Sequence, residues 1–528
     1  MEKNGHEHNK LLQGALWLTL AGMISKLLSA GYRIPLQNLT GDLGFYVYQQ
    51  VYPFLSIAMM LALYGFPSAV SKMTVDMKSA GKGLSMRSFY LPLFILLSVI
   101  AGSVFLYLVF NAAEIAVWAG DPELEQAYQL TAFVFLLIPF SALMRGVFQG
   151  LACMQPTAYS QIGEQLLRVI LILTAAVWIY LSHDHIYMMG QAAAMASLIG
   201  ALTAIGILLC FVVRHRPIDS VRFTIPWRYY VTTLLILGVS AALNHMVLVI
   251  IQLADTLTLI PVLQAYGLSG EEAMKAKGVF DRGQPLIQLG TVLGSSFALA
   301  LLPAIPGEKL KQDTEAIYHS IRSTLLFSFY LAIGATIGLM MIFPEANRLL
   351  FQNADGTGTL QILANAVFLS SVGITAASIL QGLGYMKRTA GFVAVAFFLK
   401  WTANQMLVPW LGITGSAIAT VLSLAVFAGL LMQALKRKLP KLQVARHISW
   451  FALAVANAGM IGFILGVRYL VGPIASRTGL LVYVMVISIT GALIYLGLLL
   501  RFKAFTEKEL SLLPFARIFI RLHKERDH

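Results

Sequence analysis

Phe280-Asp281-Arg282-Gly283-Gln284-Pro285 opens an apolar stretch that runs on, without a charge, through Leu302. About 20 such residues cross a hydrocarbon core of about 30 Å as a helix, so the stretch reads as a transmembrane span with Arg282 at its mouth. A charge inside a span costs about 2.5–3.5 kcal/mol on insertion scales, and chains seldom place one there without a use. Function is therefore sought around Arg282 and the ions that share its depth.

Runs of the same kind recur along the 528 residues, which are 58% hydrophobic and 12% charged. The mean hydropathy is +0.76. A soluble domain cannot carry that much apolar surface, and backbone polar groups in lipid must be satisfied within the segment. The expected fold is an all-α polytopic membrane protein. About fourteen transmembrane helices are expected, at 11–34, 43–70, 89–111, 127–152, 158–182, 186–213, 229–254, 279–305, 321–344, 360–386, 390–411, 414–435, 448–470 and 478–500. The first stretch is too long for a signal peptide's apolar region and lacks a small-x-small cleavage site, so it reads as an uncleaved span.

The net charge of +14 would suggest nucleic acid in a soluble protein. Its distribution excludes that. With the N-terminus inside and fourteen alternating spans, cytoplasmic segments and tail hold 27 of the 38 Lys and Arg, and the outer loops only Lys275, Lys277, Arg348, Arg468 and Arg477. This is the positive-inside bias of a plasma-membrane protein of bacterial type with both termini cytoplasmic. Cys153 and Cys210 cannot make a disulfide framework and read as inert packing residues.

The chain also repeats itself faintly. Gln149-Gly-Leu-Ala-Cys-Met-Gln-Pro-Thr-Ala158 aligns with Gln381-Gly-Leu-Gly-Tyr-Met-Lys-Arg-Thr-Ala390 at an offset of 232, which also lays Arg168 on Lys400. A six-span shift keeps orientation, so the halves are parallel repeats. The expected division is an N-lobe at 1–213, a basic, proline-marked linker at 214–228, and a C-lobe at 229–436. Two further spans fill 437–500. The tail at 501–528 alternates apolar and basic residues, as an interfacial helix held by anionic lipids would.

The intramembrane ions carry the chemistry. Lys26 and Arg33 lie seven residues apart, nearly on one helical face; Arg33 could equally snorkel to the outer interface. Glu164 and Arg168 stand in the favourable i, i+4 order, either as cavity groups or as a self-neutralised packing pair. Arg145 reads as a snorkelling anchor. Lys400 is mid-span, with no acid in its own span to neutralise it. Asn244, His245, Gln252 and Asp255 form a polar ladder. Asp255 either caps its helix or joins Asn404, with Asn244 nearby, as oxygen ligands for a hard cation such as Na⁺. Cations outnumber carboxylates at this depth, and arginine's donor fork matches phosphate oxygens. The reading favours an amphiphile with a phosphate head over a drug cation, which would need a buried carboxylate as the dominant ion. Phosphate-loop, His-Glu-x-x-His and Gly-x-Ser-x-Gly motifs are absent, and no metal site or resident cofactor is expected.

Three places resemble the polysaccharide-transport branch of the multidrug/oligosaccharidyl-lipid/polysaccharide exporter superfamily, with its stage V sporulation protein B group and MurJ-type lipid II flippases. They are Ile24-Ser25-Lys26-Leu27-Leu28 with Tyr32-Arg33; Gly41-Asp-Leu-Gly-Phe-Tyr46 with Gly65-Phe-Pro-Ser-Ala-Val-Ser-Lys72; and Phe280-Asp-Arg-Gly-Gln-Pro285 with Ala300-Leu-Leu-Pro303. The resemblance implies a MATE-like fold of two six-helix lobes plus two C-terminal helices, alternating access, and transfer of an undecaprenyl-diphosphate-linked saccharide outward by a transporter rather than an enzyme. It implies diphosphate binding by Arg282, Lys26 and Arg33, with Lys400, Arg168, Glu164, Asp281 and Gln284 as secondary cavity residues and an ion site at Asp255. Gln284 stands where MurJ-type proteins often have Glu, and the second span lacks their cavity arginine, so the saccharide stays open. Na⁺, H⁺ or the membrane potential would supply the energy, and a monomer is expected. The rival readings are a cation-coupled multidrug exporter of the same fold and a membrane glycosyltransferase; the second lacks a large outer loop bearing catalytic groups.

Overall fold

A computed structural model describes residues 17–18, 20–182, 185–219, 223–301 and 314–510. The start of the first span, Pro303, and the basic tail beyond Leu510 lie outside them. The described residues are helical throughout, apart from connecting turns and one isolated bridge between Ser85 and Asp219. Among the described residues, twelve helical stretches are long and apolar enough to cross a membrane. One of these, Leu20–Ser79, is 60 residues long and contains the first two predicted spans. The predicted eighth span is the helix Gly283–Leu301. The protein is an all-α, multi-pass membrane protein.

Two joints divide Leu20–Ser79. Gly41 takes φ 68° and ψ −172° inside the helix Arg33–Met60, a conformation open to glycine, and separates the first predicted span from the second. Further on, Leu61–Gly65 is wound as a π-helix. A second π-helical segment, Thr233–Gly238, lies at the start of the seventh span, and a Cβ on Gly65 would stand 2.9 Å from the Gly238 carbonyl oxygen. Small residues let membrane helices approach closely. The same rule applies at Gly146 and Gly150, where added Cβ atoms would meet the Val70 and Thr74 Cβ atoms at 2.4 and 2.5 Å.

The seventh span differs from the expected 229–254. It breaks at Met246 and resumes as Val247–Ala265. Asp255 is therefore mid-helix, and the option of a helix-end cap falls. The expected outer loop after it contains the helix Gly270–Asp281, opened by a Ser269–Glu272 capping box. Lys277, assigned to that loop, is buried on this helix. An ion four residues from an acid is satisfied within one helix, which removes the need for solvent.

Packing divides the chain into two compact units, Met1–Pro285 with Gly384–Ser423, and Leu286–Leu383 with Leu424–His528. Packing thus groups part of 229–436 with each unit. The second unit centres on Tyr330 and Tyr495, where the Tyr495 hydroxyl donates to the Tyr330 carbonyl at 2.7 Å and the Tyr330 hydroxyl accepts from the Ser449 amide at 2.8 Å. The first unit holds every predicted site residue. Cys153 and Cys210 are free.

Candidate functional site

Arg33 begins the helix Arg33–Met60 and is 1% exposed. Its Cζ lies 3.9 Å from the centre of the Tyr52 ring. None of its three side-chain nitrogens makes a hydrogen bond of good geometry, the acceptor within reach being the Tyr32 phenol, and no carboxylate pairs with it among the described residues. Tyr32, Tyr48 and Tyr52 form the surrounding box: the Tyr32 and Tyr48 hydroxyls bond to each other, and the Tyr48 and Tyr52 rings stand 5.8 Å apart. Arg33 does not snorkel. Aromatic faces recover part of a buried cation's lost hydration, but five N–H donors without well-placed acceptors remain costly. The adjoining cavity, bounded by Ser29, Gln165 and Arg168 besides the tyrosines, has about 10 Å³ of free volume, roughly one water.

Lys26 is half-buried and forms no ion pair among the described residues. It lies within electrostatic range of Tyr52 and of His245, whose ring stacks on Tyr64 at 4.3 Å. Arg33 stacks on Tyr52, and Lys26 and Arg168 both lie within electrostatic range of the same phenol.

Arg282 has a partner. Its Nε donates to Asp42 Oδ1 at 2.8 Å, and Asp42 also accepts from Gln37 at 2.9 Å. The approach is backbone-tight, since a Cβ on Gly278 would stand 2.2 Å from the Asp42 carbonyl oxygen. Arg282 is thus neutralised by a carboxylate 240 positions earlier in the chain. Beside it, Asp281 accepts from Lys277 at 2.7 Å, and Gln284 accepts from Gln252 at 2.8 Å. Asp281 also lies within range of Arg33 and Asp255.

Lys400 is neutralised as well, from another helix. Its Nζ lies 2.7 Å from Asp255 Oδ1 and donates to the Ser416 carbonyl and hydroxyl oxygens at 2.8 Å each. Asn404 donates to Asp255 Oδ1 and to Thr258 Oγ1, both at 2.9 Å. Asp255 and Asn404 therefore meet, as the ion-site reading requires, with an ammonium between their helices. Asn244 lies elsewhere, donating to the carbonyls of Ser240 and Met386.

Glu164 serves two cations: Arg168 at 2.6 Å and Arg145 at 2.9 Å. Arg145 also donates from Nε to Ser160 and from Nη1 to the Ala62 carbonyl. It is 1% exposed, so the snorkelling reading of Arg145 is corrected. In these clusters Lys26, Arg33, Arg145, Arg168, Lys277, Arg282 and Lys400 face Asp42, Glu164, Asp255 and Asp281, leaving positive charge in excess. Asp42, Lys277, Ser416 and Tyr52 were missed by sequence reasoning. The Asp42 signal was present in Gly41-Asp42, where a kink-forming glycine precedes an acid at a span junction.

Residues 11–308 match the family described as "Polysaccharide biosynthesis protein". Three relatives come from Bacillus subtilis (strain 168). The uncharacterized membrane protein YabM is 37% identical, covering 99% of this chain and 98% of that protein. Lipid II flippase MurJ is 23% identical over 78% and 80%. Stage V sporulation protein B is 23% identical over 97% and 99%. Among solved structures, a lipid II flippase MurJ in an inward closed conformation aligns with a TM-score of 0.67 at 13% identity, over 92% of this chain and 99% of that one. An inward-facing MATE family multidrug transporter aligns with a TM-score of 0.64 at 16% identity, over 82% and 99%.

Proposed function

The chain belongs to the polysaccharide biosynthesis protein family, and from that premise we propose that it is a flippase for lipid-linked saccharides, in the polysaccharide-transport branch of the exporter superfamily. The substrate class is an undecaprenyl-diphosphate-linked sugar of the lipid II kind. The observation that carries this reading is Arg33: a buried guanidinium with aromatic walls and no well-placed acceptor. Such a group is costly unless an anion reaches it in another state of the cycle, and a diphosphate supplies the oxygens it lacks. Lys26, unpaired among the described residues, is the second cation within electrostatic range of the same phenol. Residues outside the box would serve it, with Arg168 held by Glu164 as a positioning residue.

Arg282 takes a different part. With the N-terminus inside, Asp42 and Arg282 both stand at outer span ends, so their ion pair closes the outer side, and alternating access would require its release. A diphosphate arriving from the cytoplasm would compete with Asp42 for Arg282. Carrying two uncompensated negative charges outward against an inside-negative 100 mV is favourable by about 4.6 kcal/mol, at about 2.3 per charge, provided the binding cations stay behind.

A drug-cation exporter would need a free buried carboxylate. Glu164 is shared by two arginines and Asp255 is held by Lys400, which weighs against it. The test is genetic: deplete the cell's other flippases, express this protein, and measure lipid II accessible from outside. Labelling should be restored, and lost with Arg33→Ala at equal membrane abundance. Labelling that survives Arg33→Ala ends the proposal.

A further inference from the structure

We propose that the Lys400 ammonium is a built-in cation in an oxygen cage of a kind that otherwise takes a hard monovalent ion, so that this transporter neither holds nor needs Na⁺ there. An ammonium has three donors, and here all three have oxygen targets: Asp255 Oδ1, the Ser416 carbonyl and the Ser416 hydroxyl. The cage holds more oxygen than one ammonium can serve. Asp255 Oδ2 and Asn404 Oδ1, on the two side chains that meet there, are buried and have no hydrogen-bond partner. Thr258 adds a further hydroxyl beside Asn404. An all-oxygen set of one carboxylate, one carbonyl, hydroxyls and an amide is what hard cations select.

Lys400 has no exposure and Asp255 almost none, so the two charges are retained as a unit. A buried carboxylate stripped of its counter-ion must recruit a proton or a metal ion. A tethered cation cannot be loaded on one side of the membrane and released on the other. Its consequence for the cycle is that no sodium gradient is coupled through this cage, which leaves the driving force to the membrane potential or to protons. The inference extends the flippase reading, but its test contains no lipid substrate, so the two stand or fall separately.

The experiment measures thermal unfolding of the purified full chain in detergent, with NaCl exchanged for choline chloride at constant ionic strength and mildly alkaline pH. The wild type should show no difference between the salts. Lys400→Ala should melt lower and recover, saturably and Na⁺-specifically, by about 2 °C or more. Lys400→Gln, which fills similar volume while leaving the Asp255 charge, carries the same test where the alanine variant fails to fold. In Asp255→Asn/Lys400→Ala the Na⁺ response should vanish. A saturable Na⁺-specific rise in the wild type overturns the proposal, as does a folded Lys400 variant that is indifferent to Na⁺.

Discussion

Two cationic clusters lie within one packed unit, and Arg33 in one is as deeply buried as Arg145 in the other, yet they have opposite bookkeeping. Around Glu164, two arginines share one carboxylate, and Arg145 adds a serine and a carbonyl. Around Tyr52, Arg33 has an aromatic face and no well-placed acceptor, and Lys26 pairs with no acid among the described residues. In the first arrangement both guanidiniums have a carboxylate partner, with only Arg168 Nε left without an acceptor. The second has no such partner among the described residues. Satisfied buried ions hold helices together, whereas the proposed flippase reading gives the unsatisfied ones to an incoming anion, and burial alone does not distinguish the two.

That contrast can be broken most sharply at Glu164. Glu164→Ala leaves two buried guanidiniums unneutralised and should cost about 3–5 kcal/mol, read as a fall in melting temperature and membrane abundance. Arg33→Met should do the reverse. Stability should hold or rise, because an unsatisfied buried donor group is removed, while lipid II translocation falls about 100-fold, equivalent to the loss of about 2.8 kcal/mol of charge-assisted hydrogen bonding. If Arg33→Met unfolds the protein while Glu164→Ala leaves it intact, the contrast is inverted and the reading of both clusters fails. Asp42→Asn should weaken the outer closure by about 1.5–3 kcal/mol. In a background with Cys153 and Cys210 replaced by serine, an impermeant maleimide should then label Asn38→Cys faster than it does with Asp42 in place. Unchanged labelling would remove Asp42 from the gate. Lys26→Gln should have the smallest effect, about tenfold in translocation with unchanged melting, because Lys26 is only half-buried and less of its charge is left uncompensated by burial than at Arg33.

The helical, multi-pass architecture was legible in the chain because hydrophobic run length and loop charge are local properties. The candidate ions were legible as well, since a charge inside an apolar run stands out without coordinates. Partnership was not. Lys400 looked bare because its acid lies 145 positions earlier, and Arg282 looked bare because Asp42 lies 240 positions away. Asp255 looked like a helix end because Met246 and Gly267, which shift the span, carry weak local signals. Arg145 looked like an interfacial anchor because span position says nothing about which face a side chain takes.

The sequence by itself determined that this protein lives in a membrane as a bundle of helices carrying surplus positive charge at depth, because the cost of placing apolar and charged groups in lipid is set residue by residue. Only the tertiary structure decided which of those charges are cancelled. Ion pairing acts through space over a few ångströms and is blind to separation along the chain, so Arg33 emerged as the unsatisfied cation only once the helices were folded against one another.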